Sequence, residues 1–186
     1  AEIEAKLKTQ KAKVKELASA LSETRKKAAQ LFVEDLRPLA QTLGMRNLAF
    51  DIKFTVTDYT ANGADAVEFL FAFNKNQMLL PVKDTASGGE ISRLMLCIKS
   101  IIARSMSLPT IIFDEVDTGV SGDVANKIGE MMGKICKRIQ VLAITHLPQV
   151  AAHAHHHLMV YKADDENSTL THVKALNEEE HVLEIA

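Results

Sequence analysis

Apolar positions recur along the first part of the chain in alternating steps of four and three. Ile3, Leu7, Gln10, Val14, Leu17, Leu21, Thr24, Ala28 and Leu31 occupy them, with only Gln10 and Thr24 polar. That spacing is the seam of a coiled coil, so the segment predicts a long amphipathic helix. Its facing partner is missing from the sequence and must be another chain or another segment. The helix is expected to run to about Leu43, with Gly44 as its stop and Pro38 a possible kink. Lys6, Lys8, Lys11, Lys13 and Lys15 lie along the same stretch. They read first as the solvated flank of the coil, and second as a stripe facing nucleic acid.

The period then shortens to two. Leu48, Phe50, Ile52, Phe54 and Val56 alternate with mostly polar residues, and Val67, Phe69, Phe71 and Phe73 do so again beyond Ala61-Asn62-Gly63-Ala64. The pattern predicts a β-hairpin with one buried face. The phenylalanines could stack on bases, but clean alternation favours core packing.

From Ser87 onward the pattern is α/β. A helix is expected from about Gly88 to Met106, with Ile91, Leu94, Ile98, Ile101 and Ile102 inward. A short apolar strand follows at 110–113. A second helix, roughly 123–138, turns Val124, Ile128, Met131 and Ile135 inward, and a second strand spans Val141 to Thr145. Strands alternating with helices imply a parallel sheet with covered faces. Two more strands, near 158–163 and 169–175, are expected to extend it. The expected division is 1–44, a returning coiled-coil helix, and 45–186, one α/β lobe.

Composition narrows the function. A hydrophobic content of 47% is enough for one sizeable core, and a net charge of -2 argues against a constitutively basic nucleic-acid binder. Cys97 and Cys136 both lie in apolar helical patterns and read as buried, reduced thiols. No apolar run reaches membrane-spanning length, so no membrane partner is expected. The chain begins and ends within continuing helical patterns and reads as a segment of a longer protein.

Three short motifs carry candidate chemistry. Phe113-Asp114-Glu115 closes a buried strand at the end where open α/β sheets bind ligands. Paired carboxylates there are costly unless a cation or a proton uses them. Asp114 could hold Mg²⁺, directly or through water, and Glu115 could orient and deprotonate an attacking water. Ser87-Gly88-Gly89-Glu90 opens a helix, where glycines admit an anion and free N–H groups favour phosphate. The same four residues also make an ordinary N-cap, and both readings can hold together. His146 ends the second strand and could face a phosphate or hold the water. His153, His155, His156 and His157 suggest a metal, but sequential residues do not share a helical face, so a surface loop is the better reading. No G-x-x-x-x-G-K-[ST] loop occurs, although phosphate chemistry of this kind needs one.

In order and spacing, the set resembles the ABC-type ATPase head. Ser87-Gly88-Gly89-Glu90 matches its signature motif, and Ile111-Ile112-Phe113-Asp114-Glu115 matches Walker B. Val116-Asp117-Thr118-Gly119 sits at the D-loop, and His146 matches the switch histidine. Transporter heads typically have Pro where this chain has Val116. A coil leading into the signature half is similar to the SMC-like branch, whose heads join the two ends of one chain. Within that branch, residues 86–93, 113–122 and 145–151 look like the wording of a bacterial double-strand-break repair family.

The resemblance implies the signature-motif lobe of an ABC-type head, a mostly parallel α/β sheet flanked by helices, with a β-hairpin and an N-terminal coiled-coil helix. It implies ATP and Mg²⁺ sandwiched between two heads of a homodimer. Asp114 would hold the metal, and Glu115 and His146 would be catalytic. Ser87, Gly88, Gly89 and Glu90 would meet the nucleotide of the opposing head, and Asp117 would lie across the seam. The Walker A half would be an N-terminal partner segment, DNA a further partner, and the location cytoplasmic and nucleoid-associated. ATPase activity is expected of the complete protein and not of this segment alone. Two readings stand beside it: the C-terminal head of another SMC-like chromosome protein, and a non-catalytic coiled-coil interaction module.

Overall fold

The computed structural model describes residues 2–84, 87–106, 108–114, 117, 119–120, 122–165 and 168–186. The chain divides into two compact units. One comprises residues 1–41 and 45–90, the other 42–44 and 91–186.

In the first unit, helix α1 spans Glu2–Thr42, about 60 Å at 1.5 Å per residue. Strands β1 (Ala49–Thr60) and β2 (Gly63–Ala72) form the hairpin, and β3 (Leu80–Pro81) pairs antiparallel with β2. Thr60 faces Gly63 across a two-residue connection, and Gly63 takes a positive φ of 104°, which glycine alone adopts without strain. A β-carbon on Gly63 would stand 3.0 Å from Leu21 of α1. Beside it Ser22 donates to Asp65 at 2.6 Å, and Arg25 lies 3.7 Å from the same carboxylate. Further along, Phe32 meets Phe50 and Phe69 edge-on, and Phe50 stacks on Phe71 at 4.6 Å. Phe32, Phe50 and Phe71 therefore pack together between hairpin and helix, whereas Phe69, Val67 and Val56, expected on the same buried face, are exposed. The first half of α1 has no such cover: Ile3, Leu7, Val14 and Leu17 are all exposed.

In the second unit, α2 (Gly88–Met106, its first turn counted with the first unit) leads to β4 (Thr110–Asp114). Helix α3 (Gly122–Cys136) leads to β5 (Gln140–Ile144). Strands β4 and β5 pair in parallel, Ile111 with Val141 and Asp114 with Ile144. The core gathers Leu94, Leu96, Cys97, Ile101, Phe113, Ala125, Ile128 and Met131. Ile102, expected inward, is exposed, because Ile101 takes the core position of that turn. A short helix α4 (Pro148–Ala151) packs on α3, where Gly129 leaves room for it: a β-carbon there would come within 2.3 Å of His153.

One expectation fails. Strands β6 (Leu158–Asp165) and β7 (Ser168–Ala175) do not extend the parallel sheet. They pair antiparallel with each other, Leu158 with Ala175 through Asp165 with Ser168, as a separate two-stranded sheet. Two strands joined by a tight connection must run antiparallel, since a parallel return needs a crossover of a dozen or more residues. The chain closes with α5 (Glu178–Ile185), started by a capping box between Asn177 and Glu180 and missed in the sequence reading. His157 and His181 face each other at 2.9 Å, which ties the loop before β6 to this last helix.

Candidate phosphate-chemistry site

The sequence-predicted residues fall in both units. Ser87, Gly88, Gly89 and Glu90 belong to the first; Asp114, Asp117 and His146 belong to the second. Glu115 lies outside the described residues.

At the start of α2, Ser87 and Glu90 form a reciprocal cap. The Ser87 N–H and hydroxyl both donate to the Glu90 carboxylate at 2.9 Å, and the Glu90 N–H points back to the hydroxyl at 3.4 Å. This is the geometry of a capping box. Gly88 is different: a β-carbon there would meet nothing within 4 Å. Packing within the chain therefore does not demand a glycine in this first turn, while a closely approaching anion would.

In the second unit, Phe113 is fully buried and anchors β4, with Lys99 of α2 5.8 Å from its ring centre. The next residue, Asp114, is exposed at the C-terminal end of the strand. Its register partner is Ile144, and His146 follows two residues later. The parallel pairing thus delivers a carboxylate and an imidazole to one sheet edge. An exposed carboxylate at such an edge suits a hard cation such as Mg²⁺.

Asp117 lies beside His146. It is wholly buried, which is rare for an aspartate without a partner. Its Oδ2 accepts the hydroxyl of Thr145. Its Oδ1 lies 3.7 Å from Nδ1 of His146 and has no hydrogen-bond partner among the described residues. Thr145 in turn accepts the N–H of Leu147 at 3.0 Å. The resemblance implies a place at a dimer seam for Asp117; within this chain its carboxylate meets Thr145 just beyond β5. Thr145 was not singled out from sequence. The available signal was a threonine two residues before a backbone N–H at a strand end, the spacing of a local hydroxyl turn.

A groove of about 840 Å³ runs between α1 and β1, lined by Lys26, Arg37, Phe50 and Ile52 among others. It contains none of the phosphate-motif residues.

No protein-family model matches the chain. The DNA repair protein RecN of Halalkalibacterium halodurans is 40% identical over 190 residues, covering all of this chain and 34% of that protein. RecN of Haemophilus influenzae is 38% identical over 91% of the chain and 31% of its own length. RecN of Bacillus subtilis is 40% identical over 90% and 32%. The chain spans about a third of the length of these relatives.

Among solved structures, an Smc head domain with an extended coiled coil from Pyrococcus furiosus superposes with a TM-score of 0.62. The identity is 15%, over 86% of this chain and 37% of that one. A chain from work on ATP-driven dimerization of SMC ATPases gives 0.57 at 14% identity, covering 87% of this chain and 92% of that one. The fold is therefore that of an SMC head lobe: α/β, with its helices flanking the sheet and a long helix leading in. Matched over nearly all of its residues at such identities, the chain belongs to the RecN family of DNA repair proteins and corresponds to the C-terminal part of its members.

Proposed function

We propose that this chain is the signature-motif half of an ATP-hydrolysing, SMC-like head acting in double-strand-break repair and recombination. The observation that carries the reading is the register of β4 against β5, which brings Asp114 and His146 to one edge. When bound, magnesium and ATP supply the phosphoryl group and the charge that neutralises it. Asp114 would hold the metal. Glu115, the next residue, would orient and deprotonate water, and His146 would face the terminal phosphate. Ser87 and Gly88, at the start of α2, would meet the nucleotide of an opposing head, with the helix dipole favouring its negative charge. The phosphate-cradling loop would come from the N-terminal segment of the same protein. Two heads would close around ATP because the joined state binds it better, and hydrolysis would release them. DNA is the expected further partner, and the cytoplasm the expected location.

The test is ATP turnover by the chain alone and after mixing with the N-terminal segment of the protein it belongs to. Turnover is expected only in the mixture. Glu115→Gln should then lower kcat by about 10²-fold or more, the usual contribution of a positioned base. Turnover by the chain alone, or an unaffected Glu115→Gln, would overturn the reading.

A further inference from the structure

We infer that Asp117 and Thr145 position His146, fixing which of its two ring nitrogens faces outward. The inference rests on His146 being the group that holds the water attacking the terminal phosphate, and its test is separable from that reading.

A buried carboxylate needs partners for both oxygens, since desolvation without them is costly. Asp117 is wholly buried, and its Oδ2 accepts the Thr145 hydroxyl. Among the described residues Oδ1 has no hydrogen-bond partner, and His146 Nδ1 lies 3.7 Å from it. That distance is too long for a hydrogen bond, and the inference is that the two groups close it. The closing bond would run from Nδ1–H of His146 to Oδ1 of Asp117. It leaves Nε2 of the neutral ring as an acceptor directed away from the carboxylate, able to hold an attacking water and unable to donate to a phosphate oxygen. A buried acceptor on one nitrogen sets the tautomer of the other, as in carboxylate–histidine pairs elsewhere.

Thr145 makes this arrangement rigid. Its hydroxyl proton goes to Asp117, and its lone pair receives the Leu147 N–H at 3.0 Å. Through its hydroxyl, Thr145 thus links the Asp117 carboxylate to the backbone N–H of Leu147 on the far side of His146. His146 itself is 69% exposed, so solvent alone would leave its orientation free. Asp117 and Thr145 are positioning residues; neither needs to touch the nucleotide.

The readout is the tautomer of His146, from long-range proton–nitrogen spectra of the whole 186-residue chain labelled at histidine. The tautomer is read at alkaline pH, once the ring nitrogens no longer show the imidazolium signature. The His146 signals are assigned by their loss in His146→Gln. The Nδ1–H form is expected in the unmodified chain, with its predominance lost in Asp117→Ala and Thr145→Val and restored in Thr145→Ser. The serine variant also guards against misreading a folding defect in Asp117→Ala. In the reconstituted ATPase, Thr145→Val should lower kcat about 10-fold with little change in KM. An Nε2–H form in the unmodified chain, or an unchanged tautomer in both Asp117→Ala and Thr145→Val, would overturn the inference. Failure of the Glu115→Gln test would overturn the ATPase reading and leave the tautomer result standing.

Discussion

At the scale of single residues, the two cysteines and the glycines differ sharply in what surrounds them. Cys97 is buried in α2, and desolvation pushes its thiol up to about 12, while Cys136 is half-buried. A thiol held that high is almost wholly protonated at neutral pH, and the thiolate is the reactive form. Alkylation at pH 7.5 should therefore modify Cys136 first and leave Cys97 intact in the native chain; peptide mapping by mass spectrometry reads both. Gly129 is the opposite of Gly88. A β-carbon on it would collide with the His153 ring, whose Nε2 is held 2.9 Å from Asn126. Gly129→Ala should destabilise the chain by about 1–3 kcal/mol, the usual cost of overpacking, visible as a lower urea midpoint. His153 thus has a structural task in joining α4 to α3. Sequence reasoning had only a run of histidines to weigh and could not see the bond to Asn126.

At the scale of elements, α1 is one helix with two kinds of environment. From Ser22 to Phe32 it is fastened to the hairpin by Asp65 and by the phenylalanine stack. From Ile3 to Leu17 its apolar seam is uncovered. Isolated helical segments of that length are marginal in water, since most helical stability comes from packing. Amides of residues 5–18 should exchange with deuterium much faster than those of residues 25–40 in the chain alone. Equal protection of both stretches would mean that something covers the seam in solution. The heptad spacing gave α1, and strict alternation gave β1 and β2. The same reading put β6 and β7 in the wrong sheet. Their apolar residues say that they are strands, but whether a strand joins a neighbouring sheet depends on a connection and an edge that hydrophobicity does not encode. Helix α5 was missed because its eight residues carry too few apolar positions to show a period, although Asn177 and Glu180 were there as a capping box.

At the scale of the whole chain, the parallel pair β4–β5 leaves apolar side chains exposed. Parallel sheets are normally covered on both faces, yet Ile112, Leu142 and Ile144 are 45–58% exposed. Exposed apolar residues on a two-stranded parallel pair are what half of a larger sheet would present, which fits a chain spanning a third of its relatives' length. If the remainder of the head is the N-terminal segment, mixing the two should give a 1:1 complex by light scattering after size-exclusion chromatography. The β4 and β5 amides should become protected in that complex. A complex that forms without such protection would place the partner elsewhere.

Most of the elements were legible along the chain because periodicity is a local property. Ser87, Asp114, Glu115 and His146 stood out as short motifs whose order resembles that of an ATPase head. Which of them share one end of the parallel pair depended on the fold. The parallel register put Asp114 and His146 at one edge, and folding turned Asp117 inward onto Thr145. Nothing in the residues around Asp117 in sequence marks it as buried. Its burial depends on residues nearly thirty positions away in sequence, and no local pattern carries that distance.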